Sequence, residues 1–123
     1  MSIKVFDNIL LEDTFVLSWH QDADILTFQV LASLLQSHPD ASVPAAGEWA
    51  CYKPGIIEFS NVSSVRGLLP QESVVYTTDP DGSVDYGTID GLAQTGRGEY
   101  RIIGDFGVVT VAAHNISLAL AAA

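Results

Sequence analysis

Gly98-Glu99-Tyr100-Arg101-Ile102-Ile103-Gly104-Asp105-Phe106-Gly107-Val108-Val109-Thr110-Val111 is the stretch whose reading decides the fold. Tyr100 and Ile102 alternate with Glu99 and Arg101, the two-residue period at which successive side chains leave opposite faces of a strand. The tetrad Gly104-Asp105-Phe106-Gly107 supplies the small and turn-forming residues that reverse a chain, and Val109 with Val111 begins the return. This is an antiparallel hairpin. Further on, Ile116, Leu118 and Leu120 alternate with Ser117 and Ala119, which predicts one last strand closing the core.

The same period recurs upstream. Phe15, Leu17 and Trp19 alternate with Val16, Ser18 and His20, so the first three are expected on one strand face, and His20 to Asp24 makes a polar turn. Leu26, Phe28, Val30, Ala32 and Leu34 then share one parity. Leu26, Val30 and Leu34 also stand at helical spacing, so a helix from about Ile25 to Gln36 competes with the strand there. Ser37 to Gly47 reads as a loop. Trp49 to Tyr52 and Ile56 to Phe59 flank Pro54-Gly55, the signature of an edge strand or a bend, because proline has no N–H to give a ladder. Ser73 to Thr78 is a β-branched and aromatic run, Asp79-Pro80-Asp81-Gly82-Ser83 a dense turn signal, and Val84 to Leu92 a weak or irregular strand. The whole predicts a single domain over 1–123, mainly β, an antiparallel sandwich or partly open barrel of about seven or eight strands with at most one helix.

The chain has 123 residues, 15 Asp plus Glu against 5 Lys plus Arg, and a net charge of −10. Apolar residues at 48% are enough for a packed core. Lys4, Lys53, Arg66, Arg97 and Arg101 are scattered, so no basic cluster exists to neutralise phosphates or anionic lipid, and neither nucleic acid nor a membrane surface is an expected partner. A basic protein is the natural electrostatic complement. Cys51 is alone, which excludes an intramolecular disulfide and suits a reducing compartment. Asp7, Glu12 and Asp13 interrupt the apolar residues at the start, unlike a signal peptide, so a cytoplasmic protein is expected.

From Asp79 to Leu120 the chain resembles a family of small, mostly uncharacterised bacterial β-rich proteins. The pattern is carried by Asp81-Gly82, by Asp85-Tyr86-Gly87-Thr88-Ile89-Asp90, by Gly98 to Val111, and by Leu118 to Leu120. Some members of that family are immunity-type proteins of bacterial toxin systems. The resemblance implies a β fold and a role in binding and neutralising a toxin, and it carries over no catalytic residue.

Asp79, Asp81, Asp85 and Asp90 concentrate four carboxylates in a short stretch without a base. A helix-loop-helix calcium site wants glycine at loop position six, whereas Gly82 falls at four, so these residues are expected to form an acidic protein-binding surface that steers a basic partner. His20, Asp22 and Asp24 alternate within one turn and offer metal-ligand types, but no fourth ligand accompanies them. Ser60, Ser63 and Ser64 lack a nucleophile elbow, and no phosphate-binding glycine loop with its lysine is present. Trp19, Trp49, Phe15, Phe28, Tyr52 and Phe59 are core or ligand-pocket material, with core the default for Trp19 and Phe28. The expected function is therefore non-enzymatic protein binding without a cofactor, in its sharpest version an immunity protein against a basic toxin such as a nuclease. The alternative is a small-ligand or metal-binding β-domain. Because Ser117 and Ala119 put no charge on the last strand, a symmetric homodimer is expected if that strand is a sheet edge.

Overall fold

The computed structural model describes residues 3–44 and 50–121. Its strands are β1 (Phe15–Asp22), β2 (Ile25–Leu34), β3 (Cys51–Arg66), β4 (Thr77–Thr78), β5 (Val84–Asp85), β6 (Gly91–Gly96), β7 (Glu99–Gly104) and β8 (Gly107–Leu120). Among the described residues the remaining regular structure is three single 3-10 turns, at Lys4–Phe6, Leu11–Asp13 and Gln71–Ser73. Six strands form one antiparallel sheet in the order β1-β2-β3-β8-β7-β6, with β4 and β5 as a separate pair. Since β6 and β1 do not pair, the sheet stays open.

The β7–β8 hairpin forms where the glycine tetrad requires it, from Glu99↔Ala112 to Gly104↔Gly107. Its turn residue Phe106 is fully buried, its ring centroid 4.9 Å from that of Phe28 and 5.9 Å from that of Trp19. Phe28 lies on β2 and Trp19 on β1, so the sheet curls until distant strands share one core. Gly104 sits under this ring: a Cβ there would overlap the Phe106 side chain. Phe59 joins the cluster through Phe28 at 6.3 Å and Tyr100 at 5.6 Å. Each such aromatic buries enough apolar surface to contribute about 1.5–3 kcal/mol.

The region 25–36 resolves as strand rather than helix. Leu26, Phe28, Val30, Ala32 and Leu34 are all buried on one face, and β2 is paired on both sides, through Asp22↔Ile25 to Phe15↔Leu31 and through Leu26↔Phe59 to Leu34↔Cys51. A helix would satisfy its own backbone but present only part of that row to the core.

β1 departs from its expected pattern. The register runs Val16↔Val30 and then Ser18↔Gln29, so Leu17 is an inserted bulge residue and the faces exchange across it. Val16 and Trp19 turn inward, while Phe15 and Leu17 are only half-buried and line the outer face. Phe15, Leu17 and Trp19 therefore do not share a face.

Pro54 is not on an edge strand either. β3 is one continuous strand between β2 and β8, and the expected break at Pro54-Gly55 is absent. The Pro54 carbonyl accepts the Ala121 N–H at 2.8 Å, so the N–H that proline lacks also belongs to the β8 side, at the end of that ladder, and pairing with β2 is intact. Two further expectations change. Of the run Ser73 to Thr78 only Thr77–Thr78 is strand, and the return strand at Val109 and the last strand at Ile116 are one strand, β8. Trp49 lies outside the described residues.

The outer edge of β1 is covered by the connection between β3 and β6. Val16 N–H donates to the Gly87 carbonyl and Tyr86 N–H to the Val16 carbonyl, both at 2.8 Å. Trp19 donates its backbone N–H to Gln71 Oε1 at 2.8 Å and its indole Nε1–H to the Leu69 carbonyl at 2.9 Å.

Candidate functional site

The acidic turn folds by its own chemistry. Gly82 adopts a φ of 88°, which glycine takes without strain, and its N–H donates to the Asp79 carbonyl at 2.9 Å. Asp79 N–H donates to the Ser83 carbonyl at 2.8 Å. Ser83 in turn gives its hydroxyl to Asp81 Oδ1 at 2.6 Å and to Asp79 Oδ2 at 3.3 Å, and its N–H to Asp81 Oδ1 at 2.9 Å. The Ser83 hydroxyl, and after it the Ser83 N–H, hold the exposed Asp81 carboxyl below its ordinary range, because both bonds favour the charged form. Two carboxylates, Asp79 and Asp81, thus stand together at the tip of the β4–β5 hairpin.

The other two have different surroundings. Asp85 is buried, and its Oδ1 accepts the Gly87 N–H at 2.9 Å, which shapes the step from β5 into the segment that pairs with β1. It serves the scaffold, and the little of it that stays exposed lines the cleft beside the hairpin. Asp90 is exposed, but its N–H donates to the Ile103 carbonyl at 2.8 Å, which places it at the entry to β6 and not at the hairpin tip. Asp105, expected from the sequence only as a turn residue, brings its carboxylate against Gly87, where a Cβ would meet Oδ2 at 2.8 Å.

Beside the hairpin lies an apolar surface that also escaped the sequence reading. A cleft of about 230 Å³ is lined by Phe15, Leu17 and Leu31 on the sheet and by Asp79, Ser83 and Val84 on the hairpin. Leu17 continues into an open groove of about 380 Å³ whose walls include Pro54, Ile56 and Ala119. Ile56 is 41% exposed. The bulge that turns Leu17 outward is what joins the two. Adjacent apolar residues such as Ile56 and Ile57 on β3, or Val30 and Leu31 on β2, are the trace of this surface in the sequence, since they make a strand apolar on both faces. Tyr52 and Phe15 extend the apolar face, their centroids 6.1 Å apart, and the Tyr52 hydroxyl is tied to Asp13 Oδ2 at 2.7 Å.

His20 and Asp22 lie at the end of β1 and Asp24 in the following turn, all exposed, and among the described residues no three His, Cys, Asp or Glu side chains form a group able to hold a metal. Cys51 is buried, with its Sγ accepting the Ser42 N–H at 3.4 Å. Trp19, Phe28 and Phe59 are core residues. Among the described residues no helix is long and apolar enough to cross a membrane. Compared with known proteins, the chain matches no family model, no curated protein and no solved structure.

Proposed function

We propose that this chain is a non-enzymatic, cytoplasmic protein-binding domain that takes a basic protein partner, in the manner of an immunity protein neutralising a toxin. The observation that carries the reading is the juxtaposition of the acidic Asp79–Asp81 tip with the apolar surface of Phe15, Leu17 and Leu31. An interface needs an apolar centre for binding energy and a charged rim for steering, and the two are neighbours here. The net charge of −10 adds a long-range field that accelerates encounter with a cationic protein and suppresses binding of polyanions. A basic nuclease is a fitting target, since carboxylates at a hairpin tip occupy the electrostatic place of its phosphate substrate.

The test is capture by the immobilised chain from an extract of the source cell at low ionic strength, with Asp79→Asn/Asp81→Asn as the comparison. A basic protein retained at low salt, released as salt is raised and retained more weakly by the variant supports the reading. Retention of no basic protein, or retention indifferent both to salt and to the double substitution, overturns it.

A further inference from the structure

The β8 strand, 14 residues long, outruns its neighbour β7, which has 6, and this leaves a defined open edge. β7 pairs with β8 as far as Ala112, Ala113 N–H still donates to the Gly98 carbonyl at 3.0 Å, and beyond it no strand of the described residues pairs on that side, although the Lys4–Phe6 turn also approaches β8. On the other side β3 continues to pair, through Ser60↔Asn115, Glu58↔Ser117 and Ile56↔Ala119 to Gly55↔Leu120. Ala121 N–H points at β3, as its bond to the Pro54 carbonyl shows. Backbone polar groups alternate sides along a strand, so Ala119 and Ser117 also face β3, while Leu120, Leu118 and Ile116 turn their N–H and C=O groups to the open side. The side chains of these same three residues point toward the core and are only partly covered.

We propose that this edge pairs with a second copy of the chain, antiparallel and about a two-fold axis at Leu118. Leu118 then faces its own symmetry mate and Ile116 faces Leu120 of the other copy. All three residues that offer open backbone groups thereby fall in hydrogen-bonded pairs, and the half-covered apolar side chains meet one another across the junction, Leu118 with its equivalent and Ile116 with Leu120. Such self-complementarity is what a two-fold interface demands. On the opposite face the approach is lined by Ser117 and Ala119, exposed and small enough to admit a neighbouring strand.

Charge selects this occupant over an extended basic peptide. From Phe106 to Ala123 the chain carries no Asp, Glu, Lys or Arg, so β8 itself brings no charge to the edge, and Glu58, across from Ser117 on β3, stands one strand back from it. It also lacks the lysine, proline or inward charge that guards a solvent-facing edge. What opposes pairing is the overall charge of −10, a long-range term that salt screens. Association through this edge therefore strengthens with salt, the opposite sign to the capture of a basic partner, and it does not require Asp79 or Asp81. Failure of one reading is thus distinguishable from failure of the other.

The experiment is sedimentation of the chain and of Ser117→Lys over a concentration series, at about 0.05 M and about 0.5 M salt. Ser117 is exposed and lies directly across from Glu58 on β3, so a lysine there finds a carboxylate in its own chain and leaves the core untouched. The chain itself is expected to dimerise, more tightly at the higher salt, and Ser117→Lys to weaken the dimer by about tenfold or more, although it lowers the net charge that opposes association. Ser117→Thr, uncharged and β-branched, retains the dimer. Amide exchange gives a second readout in the unaltered protein: Ile116, Leu118 and Leu120 gain protection with concentration, while Ser117 and Ala119 are protected throughout. A chain that stays monomeric at about 0.5 mM in the higher salt, or a dimer unaffected by Ser117→Lys, overturns the proposal.

Discussion

Two hairpins in this molecule turn on nearly the same residues and serve opposite ends. Asp79-Pro80-Asp81-Gly82 joins β4 to β5, and Gly104-Asp105-Phe106-Gly107 joins β7 to β8. The first pairs only Thr77↔Asp85 and Thr78↔Val84, and its tip is bound by its own side chains in solvent. The second is part of the six-stranded sheet and sends Phe106 into the centre of the core. Turn chemistry specifies where a chain reverses. Whether the reversal becomes scaffold or surface depends on one apolar side chain and on what lies beneath it.

That contrast can be broken at several points. Phe106→Ala removes the ring on which β1, β2 and the β7–β8 turn converge and is expected to cost about 3–5 kcal/mol in urea unfolding. A loss near that of a surface substitution would mean that the turn is not a core element. Gly104→Ala places a methyl in the volume of the Phe106 ring and should cost about 1–3 kcal/mol by overpacking, read as a fall in denaturation midpoint. Asp79→Asn/Asp81→Asn, by contrast, should leave the denaturation midpoint nearly unchanged while slowing association with a basic partner.

The smallest effect is in acid. Asp81 is held below its ordinary carboxyl range by Ser83. A group whose folded value is depressed adds stability that is fully present above its unfolded value, about 3.9 for Asp, and is lost as pH falls through the lower folded value. The hairpin tip should therefore stay intact through the usual carboxylate range and open only at more acid pH. An NMR titration following the Ser83 amide and the Asp81 carboxyl checks this. A midpoint at or above the ordinary value would show the tip to be unstructured in solution.

The apolar surface and the open edge were not equally hidden. Ile116, Leu118 and Leu120 could be read as a strand from alternation, but their exposure depends on β7 ending at Glu99↔Ala112, a matter of the lengths of two strands. Leu17 could not be placed at all, because a single inserted residue reverses every parity assignment across it and leaves no mark in composition. Asp85 and Asp81 are the same residue type in the same acidic run, yet one is buried on the Gly87 N–H and the other exposed on Ser83.

Sequence alone determined the β class, the β7–β8 hairpin, the acidic turn and its glycine, and the inward row from Leu26 to Leu34, since each rests on contacts a few residues apart or on a simple period. Tertiary structure decided that this row is strand and not helix, that Pro54 stands inside the sheet, that β8 outruns β7, and that the acidic tip adjoins Leu17 and Leu31. Those outcomes depend on which backbone groups find partners across long sequence separations, and a free N–H or C=O is satisfied by whichever strand arrives, a choice no local pattern encodes.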